Sequence, residues 1–258
     1  MRILIVNDDG VNAPGLKVAE EIAAALAGPE GEIWVVAPES ERSGASHCIS
    51  YVSPMRVVQL EERRFAIDGH PADCSIAGIG RLMPEPPDLV LSGVNRGHNV
   101  AEDAVYSGTV AGAKEAAIQG VRAIALSQYF ASGPGAPADA FAAARAHGLD
   151  AVKRVLALPF GPHVFWNVNF PPIRPDEVKG FRLAPQGTRG GAFRIQETVA
   201  PNQRRYFWLA HDAKNAAAAP EADSTLCAGG WITATPMRPD LTDHALLAAA
   251  QAALEAAE

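Results

Sequence analysis

The chain has 258 residues, 48% of them hydrophobic and 20% charged, so it can bury a large core as one domain. Its net charge of −7 offers no basic field to a nucleic acid backbone, which argues against long DNA or RNA as a partner. No stretch reaches the roughly 18 consecutive apolar residues of a membrane span, and the N-terminus lacks a signal-peptide pattern. We therefore expect a cytoplasmic protein with no membrane partner, and three widely spaced cysteines without CxxC spacing argue against disulfides and zinc–thiolate sites.

Strand and helix patterns alternate through the first two thirds of the chain. Apolar runs of strand length occur at 2–6, 32–38, 87–95, 121–127 and 163–171. Helical periodicity occurs at 14–28, 109–120 and about 137–157. This alternation predicts an α/β fold, a Rossmann-like three-layer αβα sandwich whose mostly parallel sheet is covered by helices on both faces.

Two regions break this alternation. Residues 55–68 have the pattern of a hairpin with a charged turn, which we interpret as an excursion before the third buried strand. After Gly180, the segments "GFRLAPQ", "RRYFWLA" and "WITATPM" have strand composition between polar, Gly- and Pro-rich loops, and they could form a smaller β lobe or arms that reach another subunit. The alanine-rich stretch 213–223 is predicted to be a loop.

The C-terminal residues 241–258 are predicted to form a last helix, with Thr242 as its N-cap. The chain therefore divides into an α/β core domain over 1–179 that carries the site, a β extension or arms over 180–240, and the terminal helix.

Oxygen-bearing side chains follow the first three buried strands. Asp8 and Asp9 come directly after the first strand, Ser43 lies in the loop after the second, and Asn95 and Asn99 follow the third. Ligands of open α/β sheets bind outside the carboxyl ends of the parallel strands, so these side chains should face one crevice. Because oxygen ligands suit hard cations and no Cys or His cluster accompanies them, we expect Mg²⁺ or Mn²⁺ rather than zinc.

The tripeptide Ser107-Gly108-Thr109 lies where a loop enters a predicted helix. Free backbone N–H groups and the helix dipole make such a start an anion site, and the two hydroxyls can donate hydrogen bonds to phosphate oxygens. A cation held by carboxylates opposite a phosphate site is the arrangement that phosphoryl chemistry requires.

Each of these features also has an ordinary interpretation. An acidic pair at a strand end is most often a solvated turn or a helix cap, a Ser-Gly-Thr before a helix is commonly an N-cap, and asparagines stabilise turns. Joint placement after three strand ends favours the functional interpretation. His47, His70 and His98 lie near these loops, but a single histidine is more often structural, and none is assigned a role.

Three other protein classes place acidic or glycine-rich residues after a first strand. A haloacid-dehalogenase-type phosphatase uses DxD, whereas the carboxylates here are adjacent. A receiver-like module needs an acceptor Asp at a later strand end, where this chain has Ser92-Gly93. A dinucleotide-binding turn needs GxGxxG, and the chain has NDDG instead. A non-enzymatic metal- or nucleotide-binding or receiver-like sensing module remains the alternative to an enzyme.

Five separated motifs resemble the SurE family of metal-dependent 5'/3'-nucleotidases, in order from Met1 to about Pro171. They are "RILIVNDDGVNAPG", "VVAPESERSGAS", "GHPADC", "DLVLSGVNRGHNVAEDAVYSGTVAGAKEA" and "NVNFP". The C-terminal part is similar more loosely, through "GTRGG", "RRYFWL", "EAD" and "WITATP". The chain departs from the family pattern at Ala101, where a glycine is usual, and at 221–223, where "EAD" replaces "GTD".

The resemblance implies a role for each matching residue. One divalent metal ion per subunit would be held by Asp8, Asp9, Ser43 and Asn95, and the phosphate would be held by Asn99, Ser107, Gly108 and Thr109. The substrates would be nucleoside monophosphates, with polyphosphate as a further one. The resemblance also implies a homodimer or homotetramer assembled through the C-terminal β segments and the final helix.

The mechanistic hypothesis is hydrolysis at a single divalent cation, with Asp8 and Asp9 as the catalytic carboxylates. A water molecule would attack phosphorus in line while the phosphate is held at the helix start. Attack by Asp8 itself, giving an aspartyl-phosphate, is an open alternative.

Overall fold

The computed structural model describes residues 1–130, 137–188, 190, 193–211 and 218–256. Its eleven strands within this part are β1 (Arg2–Val6), β2 (Glu32–Pro38), β3 (Val57–Glu61), β4 (Arg64–Ile67), β5 (Leu89–Arg96), β6 (Ala123–Gln128), β7 (Phe165–Phe170), β8 (Phe181–Leu183), β9 (Phe193–Val199), β10 (Arg205–His211) and β11 (Ile232–Met237). The helices are α1 (Pro14–Ala27), α2 (Pro71–Ala77), α3 (Asp103–Tyr106), α4 (Gly108–Ile118), α5 (Ala142–Leu156), α6 (Asp223–Ala228) and α7 (His244–Glu255), with short π and 3₁₀ turns at Gly78–Leu82 and Pro175–Glu177.

Nine strands form one sheet in the order β3-β4-β2-β1-β5-β6-β7-β11-β8. The six from β4 to β7 are parallel, whereas β3 and β11 run antiparallel to their neighbours β4 and β7. From β1 the chain adds strands first on one side, through β2, and then on the other, through β5. The predicted α/β fold with a mostly parallel sheet is thereby confirmed, and the point where strand order reverses lies between β1 and β5.

Both faces of the sheet are covered, which explains the continuous apolar runs. In β1, Ile3 and Ile5 pack into one core with α1 and α5, while Leu4 and Val6 pack into a second core with α2 and α4. Successive side chains of a strand point to opposite faces, so a strand buried on both faces needs apolar residues at every position. Among the described residues, no helix combines the length and apolar character needed to cross a membrane.

The hairpin predicted at 55–68 is present as β3 and β4, but its interpretation as an excursion is wrong. β4 pairs in parallel with β2 and so extends the central sheet. Helix α2, which follows directly, was not predicted. It is only seven residues long, and its start is fixed by Pro71 and by the Asp73 carboxylate, which accepts a hydrogen bond from the His70 N–H at 2.8 Å.

The C-terminal third contributes to two sheets. β8 and β11 join the central sheet, whereas β9 and β10 form a separate antiparallel ribbon. Helix α7 begins at His244, and its N-cap is Asp243, whose carboxylate accepts from the Leu246 N–H at 2.9 Å. The prediction of Thr242 as the cap is therefore wrong. Of the predicted loop 213–223, residues 213–217 lie outside the described part, and α6 begins at its last residue.

Candidate active site at the carboxyl ends of β1 and β5

A cavity of about 360 Å³ lies at the carboxyl ends of β1 and β5. It brings together five of the eight predicted site residues, namely Asp8, Ser43, Asn95, Asn99 and Ser107. Its other lining residues are Gly44, Arg96, Gly97, His98, Asp103, Tyr106 and Phe193. The crevice expected at the reversal of strand order thus exists, and the loops after β1, β2 and β5 all reach it.

Asp8 is the most buried carboxylate of this cavity. It is 3% exposed, and its Oδ1 accepts a hydrogen bond from the Thr109 hydroxyl at 2.6 Å. Burial raises the pKa of Asp8 from 3.8 to about 6, although the Thr109 hydrogen bond opposes this shift. Gly108 lies so close that an added Cβ would be 2.8 Å from the Asp8 Cβ, so only glycine allows α4 to begin against this carboxylate.

Asp9 lies beside it and is less buried. Its Oδ2 accepts a hydrogen bond from the backbone N–H of Arg96 at 2.9 Å, which ties the end of β1 to the end of β5. Burial raises its pKa as well, because a charged carboxylate loses hydration there. Two neighbouring carboxylates are therefore both held in a position where their negative charge is costly.

The donor set fits a hard divalent cation. Within the described residues, neither carboxylate has a salt bridge to a lysine or arginine, and no cluster of three His, Cys, Asp or Glu side chains is found. Ser43 supplies a hydroxyl oxygen, which donates to Glu41 at 2.8 Å. Asn95 donates through its nitrogen to the Gly97 carbonyl at 3.0 Å, so its amide oxygen is the group that a cation would take.

A buried network of hydrogen bonds holds Asn99 in place. Its backbone N–H donates to Asn169 Oδ1 at 2.7 Å, its side-chain nitrogen donates to the Ser127 hydroxyl at 2.7 Å, and its carbonyl accepts from the Asn167 side chain at 2.7 Å. Sequence reasoning did not assign a role to Ser127, Asn167 or Asn169. Two asparagines two positions apart in an otherwise apolar strand were the available signal, since buried amides need partners.

The three residues at the start of α4 have different surroundings. Ser107 lines the cavity and caps the helix by accepting from the Val110 N–H at 3.0 Å. Gly108 packs against Asp8, and Thr109 is 0% exposed with its hydroxyl donated to that carboxylate. The helix start therefore presents Ser107 to the cavity, while Thr109 orients Asp8.

Asp223 holds the loop beside Asn99. It is 0% exposed and accepts from the backbone N–H groups of Ala101 at 3.1 Å, Gly187 at 2.8 Å and Ser224 at 2.7 Å. Ala101 has a φ of 50°, in the left-handed region that favours glycine. Ala101, where the family usually has glycine, thus adopts a left-handed backbone conformation. The hydrogen bond from its N–H to Asp223, the aspartate of "EAD", holds this conformation.

Fold and site together define a doubly wound α/β protein with an acidic, oxygen-rich centre facing a helix N-terminus. Residues 3–192 match the family model described as survival protein SurE. The chain is 53% identical over 254 residues to a 5'-nucleotidase SurE of Roseobacter denitrificans, covering 96% of this chain and 97% of the relative. It is 49% identical over 262 residues to the 5'-nucleotidase SurE of Ruegeria pomeroyi, covering 98% and 100% of the two chains.

A solved structure agrees with these sequence comparisons. The crystal structure of the SurE protein from Aquifex aeolicus superposes with a TM-score of 0.79 at 32% identity, covering 96% of this chain and 98% of the other. The chain belongs to the SurE family.

Proposed function

We propose that this protein is a divalent-metal-dependent phosphomonoesterase that hydrolyses nucleoside 5'- and 3'-monophosphates, with polyphosphate as a further substrate. The nucleotidase activity in this statement rests on the relatives, which are named 5'-nucleotidase and are about 50% identical to this chain over nearly its full length. The protein is accordingly a hydrolase of the nucleotidase class. The observation that carries the metal dependence is the buried Asp8, which shares one cavity with Ser107 at the start of α4 and has the half-buried Asp9 next to it in the chain.

Asp8, Asp9, Ser43 and Asn95 would hold the cation, and both Mg²⁺ and Mn²⁺ suit this set of oxygen ligands. When bound, the cation supplies Lewis-acid polarisation of a phosphoryl oxygen and neutralises phosphate charge. Before binding, the hydrogen-bond donors to the two carboxylates within the described residues are neutral: the Thr109 hydroxyl and the backbone N–H groups of Asp8, Thr109 and Arg96. A cation would stabilise their ionised forms, because an opposite charge at contact distance offsets the cost of burial.

The phosphate would lie at the N-terminus of α4. Ser107 lines the cavity at this end of the helix, and the helix dipole favours an anion there. Asn99 faces the same cavity, and the second hydrogen of its side-chain amide can donate to phosphate. One of the two carboxylates would orient the water that attacks phosphorus in line. Attack by Asp8 is the alternative, and a trapped phosphoenzyme would establish it.

The assembly would be a homodimer or homotetramer formed through the β9–β10 ribbon and α7. Both elements leave large apolar side chains uncovered, for example Trp208 at 63%, Leu209 at 72% and Leu254 at 70% exposure. A mainly apolar cavity of about 830 Å³, lined in part by Phe165, Trp166 and Met237, lies away from the carboxylates and adds to this uncovered surface. The proposed location is the cytoplasm.

The test is phosphate release by metal-stripped protein, with and without added Mg²⁺ or Mn²⁺. The panel contains nucleoside 5'- and 3'-monophosphates and inorganic polyphosphate. Asp9→Ala is the site variant, and Asp150→Ala is the matched control because Asp150 is exposed on α5 and pairs only with its helix neighbour Arg154 among the described contacts. We expect metal-dependent release that is lost in Asp9→Ala and kept in Asp150→Ala. Release from no nucleotide would favour the non-enzymatic binding or sensing role.

A further inference from the structure

His98 lines the same cavity as Asp8 and Asn99, and it is not among the residues that would hold the cation or the phosphate. Both of its neighbours in the chain are hydrogen bonded to the end of β6. The Gly97 N–H donates to a β6 carbonyl at 3.0 Å, and the Asn99 side chain donates to a β6 hydroxyl at 2.7 Å. The imidazole itself stacks on the ring of Tyr129, with centroids 4.1 Å apart and planes at 6°. Its ring is therefore fixed at the cavity wall.

A carboxylate accompanies this imidazole. His98 Nε2 lies 3.4 Å from Asp103 Oδ2, and the side chains are 23% and 9% exposed. Asp103 is the first residue of α3, in the loop that leads from Asn99 to Ser107. A largely buried carboxylate beside an imidazole stabilises the imidazolium charge, and it also fixes the ring orientation. The pair thus has the composition of a general acid and its orienting partner.

Hydrolysis of a nucleoside monophosphate needs such a group because the leaving ribose oxygen departs as a strongly basic alkoxide unless it is protonated. We propose that His98 donates that proton, an inference that rests on the proposed nucleotidase function. Water forms the new bond to phosphorus, and the bond from phosphorus to the ribose oxygen breaks with its electron pair going to that oxygen. The oxygen takes the proton from the His98 imidazolium, and the proton shed by the water restores the imidazolium through solvent.

The test compares leaving groups in His98→Asn, which keeps a hydrogen-bonding side chain but has no titratable nitrogen. We expect kcat/KM for adenosine 5'-monophosphate to fall by about 10²-fold or more, the size typical of a general acid. Hydrolysis of 4-nitrophenyl phosphate should fall by less than about tenfold, because 4-nitrophenolate leaves without a proton. Retained hydrolysis of the aryl ester also shows that the variant folds and binds its metal.

A second measurement uses His98→Ala with adenosine 5'-monophosphate alone. Added imidazole should raise its rate, whereas a non-titrating salt at the same ionic strength should not. His147→Asn is the matched control, since His147 is partly buried on α5, outside the cavity, and its Nε2 donates to the Pro175 carbonyl at 2.9 Å. Equal losses on both esters in His98→Asn, or no rescue by imidazole, would overturn the proposal and leave His98 a positioning residue. A wild-type protein inactive on every phosphate ester would instead refute the nucleotidase function itself.

Discussion

Asp8→Asn should abolish turnover and yet make the metal-free protein more stable at neutral pH. Asp8 is 3% exposed, and its burial raises its pKa from 3.8 to about 6. A group whose folded-state pKa is raised holds its proton more tightly in the folded protein than in the unfolded chain. Ionising it therefore costs folding free energy, fully above about pH 6 and not at all below about pH 3.8.

The magnitude follows from the size of the shift. A rise in the Asp8 pKa from 3.8 to about 6 means that the ionised carboxylate destabilises the folded state by about 3 kcal/mol. Asparagine removes the charge and keeps the shape, and its oxygen can still accept from the Thr109 hydroxyl at the position of Oδ1. We therefore expect the free energy of unfolding to rise by up to about 3 kcal/mol in Asp8→Asn at neutral pH.

The assay is urea denaturation of metal-stripped protein at about pH 7.5 and about pH 4, with Asp150→Asn as the exposed control. The gain in Asp8→Asn should shrink at the lower pH, where the wild-type carboxyl is protonated when folded. Added Mn²⁺ should stabilise the wild type but not the variant, because the cation binds only the folded site with both carboxylates. A folded variant that is no more stable than wild type at neutral pH, or equally stabilised at both pH values, would refute this reasoning.

Further predictions concern neighbouring contacts. Gly108→Ala would place a Cβ 2.8 Å from the Asp8 Cβ, and the displaced carboxylate should cost about 10²-fold in kcat/KM, with Gly80→Ala as the comparison at an exposed glycine whose added Cβ meets nothing. Glu115→Gln should lower the denaturation midpoint above about pH 4.5, because the His47 hydrogen bond at 2.8 Å depresses the Glu115 pKa. The difference should vanish as pH falls through that pKa, and a pH-independent difference would contradict it. Asp223→Asn should lose about 2–4 kcal/mol of stability, since one carboxylate accepts three backbone N–H groups, and unchanged melting would be the contrary result.

Local pattern was sufficient to predict the parallel sheet and the position of the cavity. Strands buried on both faces are apolar at every position, so the runs at 2–6 and 87–95 could be recognised without knowing their partners. The carboxyl ends of parallel strands lie at one edge, so the residues that follow them had to meet. Helix α2 was not predicted, since it has only seven residues, and the pairing of β4 with β2 was missed because a four-residue strand carries no sign of its partner.

The sequence by itself thus placed five of the eight predicted residues at the crevice, and the tertiary structure decided which groups each of them contacts there. The Thr109 hydroxyl could donate to a phosphate, but α4 lies so close to the end of β1 that this hydroxyl donates to Asp8 instead. Asn99 is fixed by Asn169, 70 residues away, and His98 lies against Tyr129 beyond the next strand. These contacts depend on which strands are neighbours in the sheet and on their register. Both are determined by the packing of the whole sheet and not by any local stretch of residues.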